Sequence, residues 1–107
     1  MISMDLTYSL TKKLEKTLKK LETRQSALVR KFEEKRDAIL QTPTLGYPLK
    51  ENLRPFWSYD WTINGIAVRL CYLYDPTEQH IYFVWFGTRE NFYDDVKQYL
   101  SSVNFRL

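Results

Sequence analysis

The stretch Phe56–Tyr74, FWSYDWTINGIAVRLCYLY, contains a hairpin whose register is calculable from its turn. Asn64-Gly65 separates two runs rich in β-branched and aromatic residues, and this dipeptide readily adopts the two positive-φ positions of a two-residue loop. Pairing Ile63 with Ile66 sets Trp61 opposite Val68, Tyr59 opposite Leu70 and Trp57 opposite Tyr72, which puts the bulky apolar residues on one face. The other face carries Ser58, Asp60 and Thr62 on one strand and Cys71, Arg69 and Ala67 on the next, with Asp60 directly facing Arg69. Two readings of that face stand together. It is an open, shallow surface with a charge at its centre, or it holds a plain cross-strand ion pair worth about a few tenths of a kcal/mol.

Downstream, Asp75-Pro76-Thr77-Glu78 reads as a reversal, and Ile81–Phe86 as the third strand of an antiparallel meander. That strand is an unbroken apolar run, which requires burial on both faces. Gly87-Thr88-Arg89 then leaves Arg89 at the edge of the core, either as a rigidly held cation suited to an anion or as a solvent-exposed turn arginine. Asn91 with Asp94 is suited to cap a final helix whose Phe92, Val96, Tyr99 and Val103 form an apolar stripe. Tyr93 lies beside that stripe, as a core aromatic or a site residue.

Upstream, Leu6–Leu10 reads as a short first strand, and from Thr11 a Lys-rich helical pattern takes over. Leu14, Leu18 and Leu21 mark one apolar stripe, and Leu28, Phe32 and Ile39 mark another. No Gly or Pro occurs between Thr11 and Thr42, so the same spacing also fits one long heptad helix. A helix of about 30 residues would far outreach the domain behind it, which favours a hairpin turning near Glu22–Gln25, with Thr23 capping the second helix. Gln41-Thr42-Pro43 ends the helix, and Pro48 and Pro55 keep the next segment extended. The expected fold is therefore α+β: a short N-terminal strand, a two-helix hairpin, an antiparallel β-meander and a C-terminal helix. One domain over residues 1–107 is expected from the length.

Charge and composition narrow the functional classes. Residues 1–40 contain ten Lys or Arg against six acids, while the rest of the chain is slightly acidic, so the net +3 arises in the first forty residues. Such asymmetry points to a polyanionic partner such as RNA, DNA or a membrane surface, or else to a solvated helix face. The single cysteine, Cys71, forms no intramolecular disulfide and fits a reducing compartment, and no run of eighteen apolar residues occurs. A cytoplasmic protein is expected. With His80 and Cys71 alone, soft-metal clusters and Cys/His or Ser/His catalysis lack parts, and no Gly-rich phosphate loop is present. No cofactor and no metal are expected.

Several collinear segments resemble the RelE/ParE superfamily of toxins from type II toxin–antitoxin pairs. Tyr47-Pro48-Leu49-Lys50-Glu51-Asn52-Leu53-Arg54-Pro55-Phe56-Trp57-Ser58 is similar to the Pro-Leu-Lys, Asn-Leu and Trp-Ser segment of YoeB-type members. Val68-Arg69-Leu70-Cys71-Tyr72 resembles the family's central Arg-Leu-Val-Tyr strand, and Gly87-Thr88-Arg89-Glu90 with Tyr93 resembles the RelE block in which Gly-x-Arg-Glu precedes a tyrosine. The resemblance implies a RelE-like fold and an mRNA interferase: an endoribonuclease that inhibits translation by cutting message in the ribosomal A site, through attack of a ribose 2′-hydroxyl on the adjacent phosphate. It also implies a cognate antitoxin as partner.

Such chemistry needs a base for the hydroxyl, cations for the charge that develops on phosphorus, and an acid for the leaving oxygen. By resemblance, Arg69 and Arg89 supply the cations and Tyr93 orients or protonates the RNA. Candidate RNA contacts are Lys19, Lys20 and Arg24 on the basic hairpin, together with Lys50 and Arg54. The chain departs from the family where RelE carries catalytic lysines, offering Ser58, Asp60 and Thr62 instead. Tyr47 stands where YoeB-type members place a catalytic Glu, and no histidine occurs in the C-terminal block. Asp60 is the candidate base, with Glu51 a weaker one. The missing lysines keep two other readings open: a ParE-type toxin that binds DNA gyrase without cutting nucleic acid, and a degenerate member that binds only its antitoxin.

Overall fold

A computed structural model describes residues 6–50, 53–88, 94 and 96–99. Strand β1 (Thr7–Leu10) leads into helix α1 (Lys12–Arg24) and helix α2 (Ser26–Gln41). Strands β2 (Tyr47–Pro48), β3 (Trp57–Ile63), β4 (Ile66–Asp75) and β5 (His80–Thr88) follow. The five strands form one sheet in the order β1-β5-β4-β3-β2, antiparallel except for the parallel β1–β5 pair.

The register of the β3–β4 hairpin is the one its turn dictates: Ile63 pairs with Ile66, Tyr59 with Leu70 and Asp60 with Arg69. Asn64 and Gly65 both have positive φ, 51° and 81°, which gives the right-handed twist that two paired strands need. At the next reversal the Asp75 carboxylate accepts hydrogen bonds from the backbone N–H groups of Thr77 and Glu78. The β4–β5 pairing shifts between Cys71 and Tyr72, which face Trp85 and Phe83, leaving Val84 as the extra residue of a bulge.

That bulge explains how the apolar run of β5 is buried on both sides. Ile81, Phe83 and Phe86 join the cluster under the helices, with Leu14, Phe32, Ile39, Leu70 and Tyr72. Val84 joins a second cluster on the other face with Leu49, Leu53, Phe56, Cys71, Leu73 and Val96, against which Tyr82, Trp85 and Tyr99 pack. The face opposite the helices is therefore covered over much of its area. Leu53 and Phe56 donate backbone hydrogen bonds to Lys50 and Leu53 carbonyls, so the segment turns after Pro48 instead of remaining extended. The turn lets three apolar side chains reach Cys71 and Val84. Residues 94 and 96–99 are helical, as the C-terminal pattern requires. Asn91, Phe92 and Val103 lie outside the described residues.

The two helices meet at Gln25, at the end of the expected turn region. Thr23 lies inside α1, its hydroxyl donating to the Lys20 carbonyl, and no side chain caps α2. The effective cap is Thr11: its hydroxyl accepts from Leu14 N and donates to the Val84 carbonyl, so one side chain both starts α1 and pins it to β5.

Tyr72 fastens the loop after α2 to the core. Its hydroxyl donates to the Pro43 carbonyl at 2.8 Å and accepts from Gly46 N at 3.1 Å. Burial, only partly offset by the Gly46 hydrogen bond, pushes its pKa from 10.0 up to about 12. The neutral phenol is the form the fold prefers. Stability from this group is thus complete below pH 10 and is lost as pH rises through about 12. Tyr72→Phe is expected to lower unfolding free energy by about 1–2 kcal/mol at neutral pH and to flatten the alkaline loss, as urea titrations at several pH values would reveal. At Gly46 an added Cβ would collide with the Ser58 carbonyl, which is backbone and unable to swing aside. Gly46→Ala should therefore destabilise by about 2 kcal/mol in a thermal melt, and an unchanged melting temperature would contradict this packing.

Candidate functional site

Asp60 gathers the polar groups on the sheet face opposite the helices. Its Oδ2 lies 3.1 Å from Arg69 Nε and accepts a hydrogen bond from the Tyr47 hydroxyl at 2.8 Å. Its Oδ1 accepts from the Ser58 hydroxyl at 2.9 Å. Each contact follows from register: Asp60 is paired with Arg69 across β3–β4, and Tyr47 with Ser58 across β2–β3. Tyr47, on the short edge strand, is thereby brought over a residue thirteen positions away.

The four residues form two layers. Ser58 is fully buried and the Arg69 side chain is 9% exposed, whereas the Asp60 side chain is 31% exposed and Tyr47 is exposed. The open surface with a charge at its centre is corrected accordingly. The cation lies beneath, and a carboxylate and a phenol meet solvent above it. A guanidinium so placed acts through a low-dielectric surrounding, where its field is stronger than at an exposed site.

Lys50 and Arg54 are exposed on the segment that covers this same face. Lys19, Lys20 and Arg24 are exposed on α1, whose apolar side packs on the opposite face, so the sheet separates the two groups of candidate RNA contacts. Arg89, Tyr93 and Glu51 lie outside the described residues. Arg69 pairs across β4–β5 with Gly87, two positions before Arg89 in sequence.

His80 is remote from this site. It sits on β5 seven residues from Gly87, roughly 20 Å along the strand, with its ring nitrogens 2.6 Å from the Thr7 hydroxyl and 2.9 Å from that of Ser9. Cys71 is buried, and desolvation drives its thiol pKa upward, so it stays protonated and packs as a small apolar group. Among the described residues no three His, Cys, Asp or Glu side chains are grouped to hold a metal, and no helix is long and apolar enough to cross a membrane. Sequence reasoning singled out Asp60 and Arg69 but registered Tyr47 only as a departure from a glutamate. Its signal was the edge-strand pairing, which two residues are too few to announce.

Two comparisons bear on this arrangement. A family model described as ParE-like toxin of type II bacterial toxin–antitoxin system matches residues 9–97. The crystal structure of the isolated Escherichia coli RelE toxin superposes with a TM-score of 0.62 at 15% identity, covering 89% of this chain and 99% of that one. No curated protein matches the chain in sequence.

Proposed function

Because the chain belongs to the ParE-like toxins of type II bacterial toxin–antitoxin systems, within the RelE/ParE superfamily, we propose that it is a ribosome-dependent endoribonuclease cutting mRNA in the A site. The observation that carries this reading is the layered group Tyr47, Asp60 and Arg69 on one sheet face, which joins proton-transfer groups to a cation. Ribose 2′-hydroxyl attack on phosphorus needs both. Asp60 acts as base, Arg69 stabilises the charge on the phosphorane, and Arg89 and Tyr93 complete the site by the resemblance of their block to RelE. Lys50 and Arg54 hold the message on this side, while Lys19, Lys20 and Arg24 contact ribosomal RNA from the helical side. The ribosome assists this base by positioning the message. The antitoxin implied by the family would cover these basic surfaces until released.

The test is incubation of purified protein with programmed ribosomes, with 5′ ends mapped by primer extension, for the wild type, Arg69→Ala and Arg89→Ala. Discrete A-site cuts lost in both variants are expected. Cuts that persist in both would overturn the assignment. A second reading is favoured by two specific features: β3 carries no lysine, and Arg69 is already balanced by Asp60. On that reading the protein is a toxin that binds DNA gyrase, and inhibition of supercoiling without message cleavage would select it.

A further inference from the structure

Tyr47 is the exposed group in direct hydrogen-bond contact with the candidate base, and it donates to the carboxylate oxygen that also faces Arg69. Asp60 is less accessible than Tyr47, and its other oxygen is held by buried Ser58. Both groups are open to solvent and their oxygens are hydrogen-bonded, so a substrate hydroxyl that docks on the phenol has a continuous path to the carboxylate. We infer that Tyr47 is a further catalytic residue, relaying the proton of the attacking ribose hydroxyl to Asp60; this rests on the endoribonuclease reading above.

The step balances as follows. The 2′-hydroxyl proton passes to Tyr47 Oη while the Tyr47 proton passes to Asp60 Oδ2. The 2′-oxygen bonds to phosphorus, the phosphorus–O5′ bond breaks with its electron pair on oxygen, and O5′ takes a proton from water. The protonated Asp60 then returns its proton to the resulting hydroxide, again through Tyr47. A physical consequence follows from the shared oxygen. While Asp60 is ionised it balances the charge of Arg69, 3.1 Å away. Once Asp60 is protonated, its carboxyl no longer offsets the guanidinium charge, just as negative charge accumulates on the phosphorane. The cation thus acts more strongly in the transition state than in the ground state, the condition for raising kcat.

The relay is tested with Tyr47→Phe, which removes one oxygen from an exposed ring and leaves its packing. On programmed ribosomes, single-turnover cleavage at saturation should fall about 100-fold, with the half-saturating toxin concentration unchanged. The solvent deuterium dependence should change from curved in the wild type, with two protons in flight, to linear in the variant. Asp60→Asn and the double variant should be similarly slow, because the two groups act as a unit. Wild-type rates in Tyr47→Phe, or a loss confined to half-saturation, would overturn the relay while leaving the nuclease reading intact. Failure of the wild type to cleave would overturn the nuclease reading and the relay with it.

Discussion

Arg69→Ala is expected to lower message cleavage about 1000-fold and to reduce stability by about 2 kcal/mol. The two effects have one origin. Arg69 is 7% exposed, at the centre of β4, and its Nε lies against the Asp60 carboxylate. Truncation leaves that carboxylate without its nearby cation and opens a void in a packed layer. The penalty stays below that of a fully buried pair because the Asp60 side chain retains 31% exposure and can be hydrated. Arg69→Lys separates the effects. An ammonium restores charge near Asp60 and much of the stability, but it lacks the planar fork that grips phosphate, so cleavage should remain impaired. Urea titration and single-turnover cleavage of the same preparations would distinguish these outcomes. Equal recovery of both by lysine would show that charge alone matters.

Phe32→Ala is expected to have the largest effect on stability, about 4 kcal/mol. Phe32 is 1% exposed on α2 and meets the rings of Phe83 and Phe86 edge-on at centroid distances of 6.0 and 5.7 Å. It is the wedge between the second helix and the last strand. A domain of this size has only about 5–15 kcal/mol of stability in total, so the loss should appear as a large drop in urea midpoint. A shift of less than about 1 kcal/mol would mean that the helical layer does not close on the sheet at this point.

Much of the sheet was legible because Asn64-Gly65 fixes the hairpin and period-two alternation then fixes each pair, Asp60 with Arg69 included. The helical stripes were legible for the equivalent reason at period 3.6. Other features depended on contacts between segments remote in sequence. Nothing in Thr7–Leu10 announces a parallel partner in β5, and Thr11 gains importance as a cap only because its hydroxyl also finds the Val84 carbonyl. The covering of the second face by Leu49, Leu53 and Phe56 was missed because their segment has no single period. Its prolines suggested extension where the chain turns. The same gap concealed Tyr47, whose position beside Asp60 is set by an edge strand of two residues. Motif resemblance located the family and named Arg69 and Arg89 as candidates. It offered no base; the hairpin register made Asp60 the candidate, and the structure adds Tyr47 beside it.

The central claim is that this face performs 2′-hydroxyl attack on message held by the ribosome. End-group analysis of mRNA cleaved on programmed ribosomes tests it most directly. The expected products are an upstream fragment ending in a 2′,3′-cyclic phosphate and a downstream fragment beginning with a 5′-hydroxyl, both reduced about 1000-fold with Arg69→Ala. Intact message, or fragments beginning with a 5′-phosphate, would contradict it.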